Sequence, residues 1–207
     1  MAMTNSIEPT LHPVALSDLR PTQMTVGMRE VARKRVGWRD HIAIDGAEFL
    51  GRHMIPVVIG PRKVPWLIDH HHLARALLDE GVEHVLVTVV ARLDHLRKRP
   101  FLTFLDNRNW LHPYDAEGKR CSYGDLPRTL HKLAYDPYRS LAGEVRRMGG
   151  CAKTDTPYSE FLWADFLRHR IGAGMVNAKF ERALSKALDL ARGPEAVYLP
   201  GYCGTHG

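Results

Sequence analysis

Cysteine is scarce in this chain. Cys121, Cys151 and Cys203 are odd in number, far apart and never spaced as Cys-x-x-Cys, so the pattern supports neither a disulfide scaffold nor a structural zinc site. His53, His84 and His95 likewise lack ligand spacing, and no metal site is expected from them. No apolar run approaches the roughly 18 residues of a membrane helix. Met1 to Pro13 contains no basic segment leading into an apolar one, so the expectation is a cytoplasmic protein that is neither secreted nor membrane-bound. Internal repeats and low-complexity tracts are absent, which removes solenoids and long disordered segments. Lys153-Thr154-Asp155, after Gly149-Gly150, is a candidate anion-binding loop without the Walker spacing.

What is present suits one well-buried core: 207 residues, 44% hydrophobic and 25% charged. Net charge is +6, and twelve histidines can add to it below neutral pH. That balance favours anionic ligands, whether nucleotide or nucleic acid.

Periodicity divides the chain. Residues 1–13 read as a flexible N-terminus. Residues 14–97 carry a helix over 25–36, strands at 55–59 and 64–68, a helix over 71–78 and a valine-rich strand at 82–90. Beyond Arg97 the pattern is mainly helical, over 126–135, 138–148, 158–168 and 176–190, while 100–105 reads as a strand or ordered loop. The predicted fold is α+β: a small mixed sheet with helices, extended by a helical half, 98–207, packed on the same domain.

The densest chemistry lies at 64–77. A strand ending at Ile68 runs into Asp69, His70, His71 and His72, and then into a helix bearing Arg75. A helix start collects backbone N–H groups and the positive end of the dipole, which suits phosphate. Histidine adds proton transfer near neutral pH. Consecutive helical residues point about 100° apart, so three histidines cannot face one ligand, and His71 and His72 are the leading pair. Arg75, one turn on, offers a fork for phosphate oxygens. Asp69 is either an N-cap or a catalytic or metal-binding carboxylate. On the preceding helix Glu30 is a general base or a solvated charge, and Arg33 and Lys34 are phosphate ligands or a solvated face. Arg62 and Lys63, in the turn between strands, are equally ambiguous. The aromatic clusters Trp110 to Tyr114 and Trp163 to Phe166 read as core before they read as base-stacking platforms.

These pieces occur in a recognisable order: Leu16-Ser17-Asp18-Leu19-Arg20-Pro21, Ile55-Pro56-Val57-Val58, Ile68-Asp69-His70-His71-His72, Gly81-Val82 and Val85 to Val90. Over Val14 to about Leu93 the chain resembles the ParB/sulfiredoxin superfamily, and its triple histidine and helical tail resemble the stand-alone ParB-like nuclease branch. The resemblance implies nucleotide binding at the box; joined to the chemistry of the residues, it makes Asp69, His70, Arg75, Arg33 and Lys34 candidate phosphate contacts and Glu30, His71 and His72 candidate catalytic residues. It implies ATP, ADP or CTP with Mg2+, and phosphoryl transfer or phosphate-ester hydrolysis. Glu30 stands about where serine-kinase relatives carry a catalytic glutamate. Sulfiredoxins place their cysteine where this chain has His71, and the glycine usual after the aspartate is His70 here. Two alternatives remain open: a DNA-binding or nuclease module, although no helix-turn-helix with a basic recognition face is visible, and a non-enzymatic interaction protein.

Overall fold

The β-branched runs form the centre of a mixed sheet in the computed structural model, which describes residues 8–204. In chain order come β1 (Glu8–Ala15), β2 (Arg20–Pro21), β3 (Thr25–Val26), α1 (Met28–Arg52), β4 (Ile55–Ile59), β5 (Pro65–Leu67), α2 (His71–Asp79) and β6 (His84–Arg92). The sheet order is β1-β6-β4-β5-β2. β6 pairs in parallel with β4 and antiparallel with β1, while β5 lies antiparallel to β4 and parallel to β2. On β6, Val85, Val87 and Val89 are buried and the residues between them are less so, the period of two that fixes register against a core. Parallel β4 and β6 need a long crossover, which β5 and α2 supply.

The second half contributes α3 (Lys98–Asn107), β7 (Ala134–Tyr135), α4 (Pro137–Arg147), α5 (Ser159–Arg168), α6 (Ala173–Ala178) and α7 (Phe180–Arg192). β7 pairs in parallel with β3. Leu130 and Leu133 pack into the same core as Val31, Leu73 and Leu77, so the two halves share buried surface. Phe101, Leu102 and Leu105 of α3 cover Val58 on the other face of the sheet. A helical core built on Leu141, Val145, Trp163, Leu167 and Ala187 completes the molecule.

Several expectations change. Within the N-terminus predicted as flexible over 1–13, residues 8–10 pair with β6 in β1 and a register shift separates them from Val14; residues 1–7 lie outside the described residues. The segment 100–105 is helical, because Phe101, Leu102 and Leu105 recur at the spacing that buries one helix face. The helix predicted over 126–135 is absent: Leu130–Lys132 makes a single 3-10 turn before β7, whose ladder with β3 takes up the backbone hydrogen bonds. The helix predicted over 176–190 is two helices that meet at Lys179, where φ is −141°. The helix predicted over 25–36 begins at Met28 and runs to Arg52, with a kink at Asp45.

α1 can start where it does because Gly27 lies flat against α4. A Cβ there would sit 2.8 Å from the Ser140 nitrogen and 3.0 Å from the Arg139 carbonyl carbon, both backbone. Gly27→Ala should therefore cost about 1–3 kcal/mol, as overpacking does where backbone cannot yield. Urea unfolding measures it, and an unchanged midpoint would refute this close approach.

Candidate functional site

β5 delivers Asp69 to the start of α2, and the chain turns there through a left-handed residue: His70 has φ 64° and ψ 26°. That conformation favours glycine, which explains why a glycine is usual at this point of the box. The Asp69 carboxylate accepts the His70 backbone N–H at 2.6 Å. Asp69 therefore does not cap α2, contrary to one reading of the sequence: the N-cap is His70, and no side chain caps the helix. The start of α2 opens onto the cleft with its dipole uncompensated by a cap.

His71 is buried and His72 half-buried; both border the cleft, yet each turns its Nε2 to the backbone between β2 and α1. His71 is 2% exposed, and its Nε2 accepts the Thr22 backbone N–H at 3.2 Å. The Thr22 hydroxyl in turn donates to the Leu67 carbonyl at 2.7 Å. His72 Nε2 accepts the Gly27 backbone N–H at 3.0 Å. Accepting at Nε2 leaves the proton of each neutral ring on Nδ1, and in His71 that atom is buried without a partner. Burial, then the positive charge of Arg139, holds both imidazoles well below their usual pKa. The expectation that this pair shuttles protons near neutral pH is thus corrected. They are neutral clamps on the segment between β2 and α1.

Arg75 is corrected as well. Its Nε donates to Asp79 at 2.9 Å and its Nη1 lies 3.4 Å from the carbonyls of Leu130, His131 and Leu133, so it braces the 3-10 turn, away from the cleft. Arg33 donates to Glu30 at 2.6 Å and pairs with Glu144 of α4, locking α1 to α4 instead of reaching a ligand. Glu30 and Lys34 do line the cleft, with Lys34 Nζ 3.9 Å from the Glu30 carboxylate.

The cleft has a volume of about 830 Å3. One wall is the box with Glu30, Lys34 and His53; the other comes from the C-terminal half. There Arg139, 5% exposed, donates to the Gln23 side-chain oxygen at 3.1 Å and to the Thr25 carbonyl at 2.7 Å. Its guanidinium stacks 3.8 Å from the Phe161 ring centroid and lies 3.5 Å from Glu160. Glu160 also pairs with Arg146, so one carboxylate bridges two arginines. Tyr158 sits in a left-handed conformation with φ 58°, its hydroxyl buried without a partner and its pKa raised by burial. Lys153, Thr154 and Asp155, the loop noted in the sequence, complete the rim. Trp110 also lines the cleft, whereas Trp163 is buried core.

Arg139, Arg146, Tyr158 and Glu160 were missed in the sequence because nothing local marks them. They sit on amphipathic helices and near a turn, and only the packing of α5 on α4, and of α4 on α1, turns them inward. Four basic side chains, Lys34, Arg139, Arg146 and Lys153, face four acidic ones, Glu30, Asp69, Asp155 and Glu160. Among the described residues no three acids, histidines or cysteines converge as a ready metal cage. Among them too, no helix is long and apolar enough to cross a membrane.

The family described as "Putative ParB-like nuclease" matches residues 12–169, and the chain belongs to that family. The crystal structure of protein Atu1540 from Agrobacterium tumefaciens is similar over 96% of this chain and 100% of its own, at 48% identity and a TM-score of 0.88. Among curated proteins, none matches the chain.

Two predictions follow from the box geometry. His70→Gly should stabilise the protein by about 1 kcal/mol, the approximate cost of a left-handed conformation in an L-residue, read as a higher urea midpoint; a lower midpoint would show that the imidazole contributes more than the strain costs. The second concerns pH. His71 and His72 are held well below 6.5, and burial pushes His112 down to about 3. As pH falls through about 6.5, the unfolded chain takes up protons that these folded rings refuse. Stability is therefore full above that value and declines below it, by up to ~1.4 kcal/mol per pH unit for each ring. Unfolding midpoints at pH 7.5 and 5.5 should differ accordingly, and His72→Asn, which keeps an acceptor but cannot titrate, should reduce the difference. Equal wild-type midpoints would contradict the neutral-clamp assignment.

Proposed function

We propose that the cleft binds a nucleotide or another phosphorylated small molecule, with its phosphates at the start of α2. The observation that carries this reading is the uncapped N-terminus of α2 opening into an 830 Å3 cleft. Backbone N–H groups and the helix dipole favour a phosphate there. Lys34 and Lys153 on the rim supply mobile positive charge, and Trp110 supplies an aromatic surface. The cleft's mixed charge suits a phosphate that arrives with a cation better than a bare polyanion. A Mg2+ ion entering with ATP, ADP or CTP would be held by phosphate oxygens and one carboxylate, Asp69 or Glu30.

Phosphoryl transfer or phosphate-ester hydrolysis is the chemistry such a site supports. Positioning and charge neutralisation do most of the work in that class of reaction. Glu30 is the candidate to orient or deprotonate a nucleophile, since its carboxylate lines the cleft while Arg33 keeps it fixed. His71 and His72 act as positioning residues, holding the segment that carries Gln23 against α2.

A thermal-shift series with ATP, ADP and CTP, with and without Mg2+, tests the binding claim. A ligand at 100 times its Kd adds about 2.7 kcal/mol to the native state, which raises Tm by several degrees in a chain of this size. Lys34→Ala with Lys153→Ala should remove most of the shift while leaving the unliganded Tm within a degree or so. No shift with any of the three nucleotides would rule out the nucleotide reading.

A further inference from the structure

A second pocket, of about 340 Å3, borders the segment between β2 and α1 and shares no lining residue with the cleft. It opens where two stretches distant in sequence reach one edge of that segment. The Thr22 carbonyl accepts the His112 N–H and the Met24 carbonyl accepts the Ala134 N–H, each at 2.9 Å, and residues two apart on an extended strand present the same side. Between these contacts the chain from Pro113 to Leu133 leaves the strand edge. One arm of that loop lines the pocket with Asp115, and the other with Asp125, Leu126, Pro127, Arg128 and Lys132. The volume stands at the lower end of the range for small-molecule sites.

Charges of both signs line this pocket without neutralising one another. Asp115, Asp125, Arg128 and Lys132 all border it, yet among the described residues no ion pair joins any of the four to another side chain. Both carboxylates are held in place. Asp115 Oδ1 accepts the N–H groups of Glu117 and Lys119 at 3.0 and 2.8 Å, and Asp125 Oδ2 accepts the Ser122 N–H at 3.0 Å and its hydroxyl at 2.8 Å. Each acid keeps its second oxygen, that of Asp115 met only by the Cys121 thiol at 3.8 Å. Thr25 lines the pocket too; it is fully buried and its hydroxyl has no partner, whereas a buried hydroxyl is ordinarily hydrogen-bonded. Met24, Leu126 and Pro127 add apolar surface.

We propose that this pocket binds a free α-amino acid with an apolar side chain. The ligand's carboxylate meets the Arg128 fork and Lys132, its ammonium meets the remaining oxygens of Asp125 and Asp115, and Met24, Leu126 and Pro127 receive its side chain. A simple anion would face two carboxylates, and a diamine would face two cations. Only a ligand carrying both charges answers both pairs. The proposal is independent of what the cleft binds.

Isothermal titration calorimetry and thermal shift of the full chain with L-leucine and L-methionine test it, set against L-serine, N-acetyl-L-leucine and L-leucinamide. Leucine or methionine should bind saturably at one site, and serine more weakly for want of apolar contact. The acetylated form lacks the ammonium and the amide lacks the carboxylate, so each should lose about tenfold in affinity or more. Asp125→Asn keeps an acceptor for Ser122, and Arg128→Gln removes an exposed charge, so both variants should hold the wild-type Tm while losing about tenfold in affinity for leucine. Lys34→Ala with Lys153→Ala, in the cleft, should bind leucine as the wild type does. The proposal is overturned by neither a saturable heat nor a rise in Tm with either apolar amino acid, by equal affinity for either blocked form, by serine binding as tightly as leucine, by wild-type affinity in both pocket variants, or by loss of binding in the cleft variant.

Discussion

Two neutral imidazoles, one buried and one half-buried at the cleft, hold the site together. His71 and His72, on the first turn of α2, accept the backbone N–H groups of Thr22 and Gly27, and only an unprotonated ring nitrogen can do so. Burial and the nearby Arg139 keep them in that state. Arg139 holds the same segment from the other side through Gln23 and Thr25. The stretch from Thr22 to Gly27 is thereby fixed between α2 and α4, and α1 starts from its end. Breaking one clamp would leave a buried backbone N–H without an acceptor, which costs about 1–3 kcal/mol. The cleft's geometry follows from this arrangement, because α2 and α1 on one wall and α4 on the other meet at these residues.

Much of the architecture could be read in advance, and the reasons are specific. Five valines in 82–90 admit little but a strand, and β6 lies inside the sheet between β1 and β4. The order of apolar strand, polar junction and amphipathic helix around Asp69 pointed to a junction that lines one wall of the cleft. Roles within the box were harder. Side-chain direction on a helix start depends on the residue before it, and the left-handed turn at His70 sends His71 and His72 toward the protein. Arg75 looked like a ligand because it lies one turn from the box, and Arg33 because it shares a helix with Glu30, yet each found carboxylate or carbonyl partners on elements distant in sequence. Arg139 and Glu160 were invisible for the converse reason: their importance arises only where helices far apart in the chain pack together.

The balance of charge in the cleft bears on its chemistry. Glu160 neutralises Arg139 and Arg146, and Arg33 with Lys34 attends Glu30. The groups best placed to meet a ligand are Lys153, Asp69 and the helix N-terminus, together with Glu30 and Lys34, whose own pairing is loose at 3.9 Å. A phosphate recognised by backbone N–H groups and a few side chains is bound with geometry more than with net charge. The chain belongs to the family of putative ParB-like nucleases; that its cleft binds a phosphate compound is our proposal.

The most direct test is an amide NMR titration with pyrophosphate. If the anion sits at the start of α2, the backbone amides of His71, His72 and Leu73 should show the largest saturable shifts, accompanied by the Lys153 amide on the rim. Saturable shifts that leave the His71 to Leu73 amides unmoved, or no saturable shifts anywhere, would contradict the account.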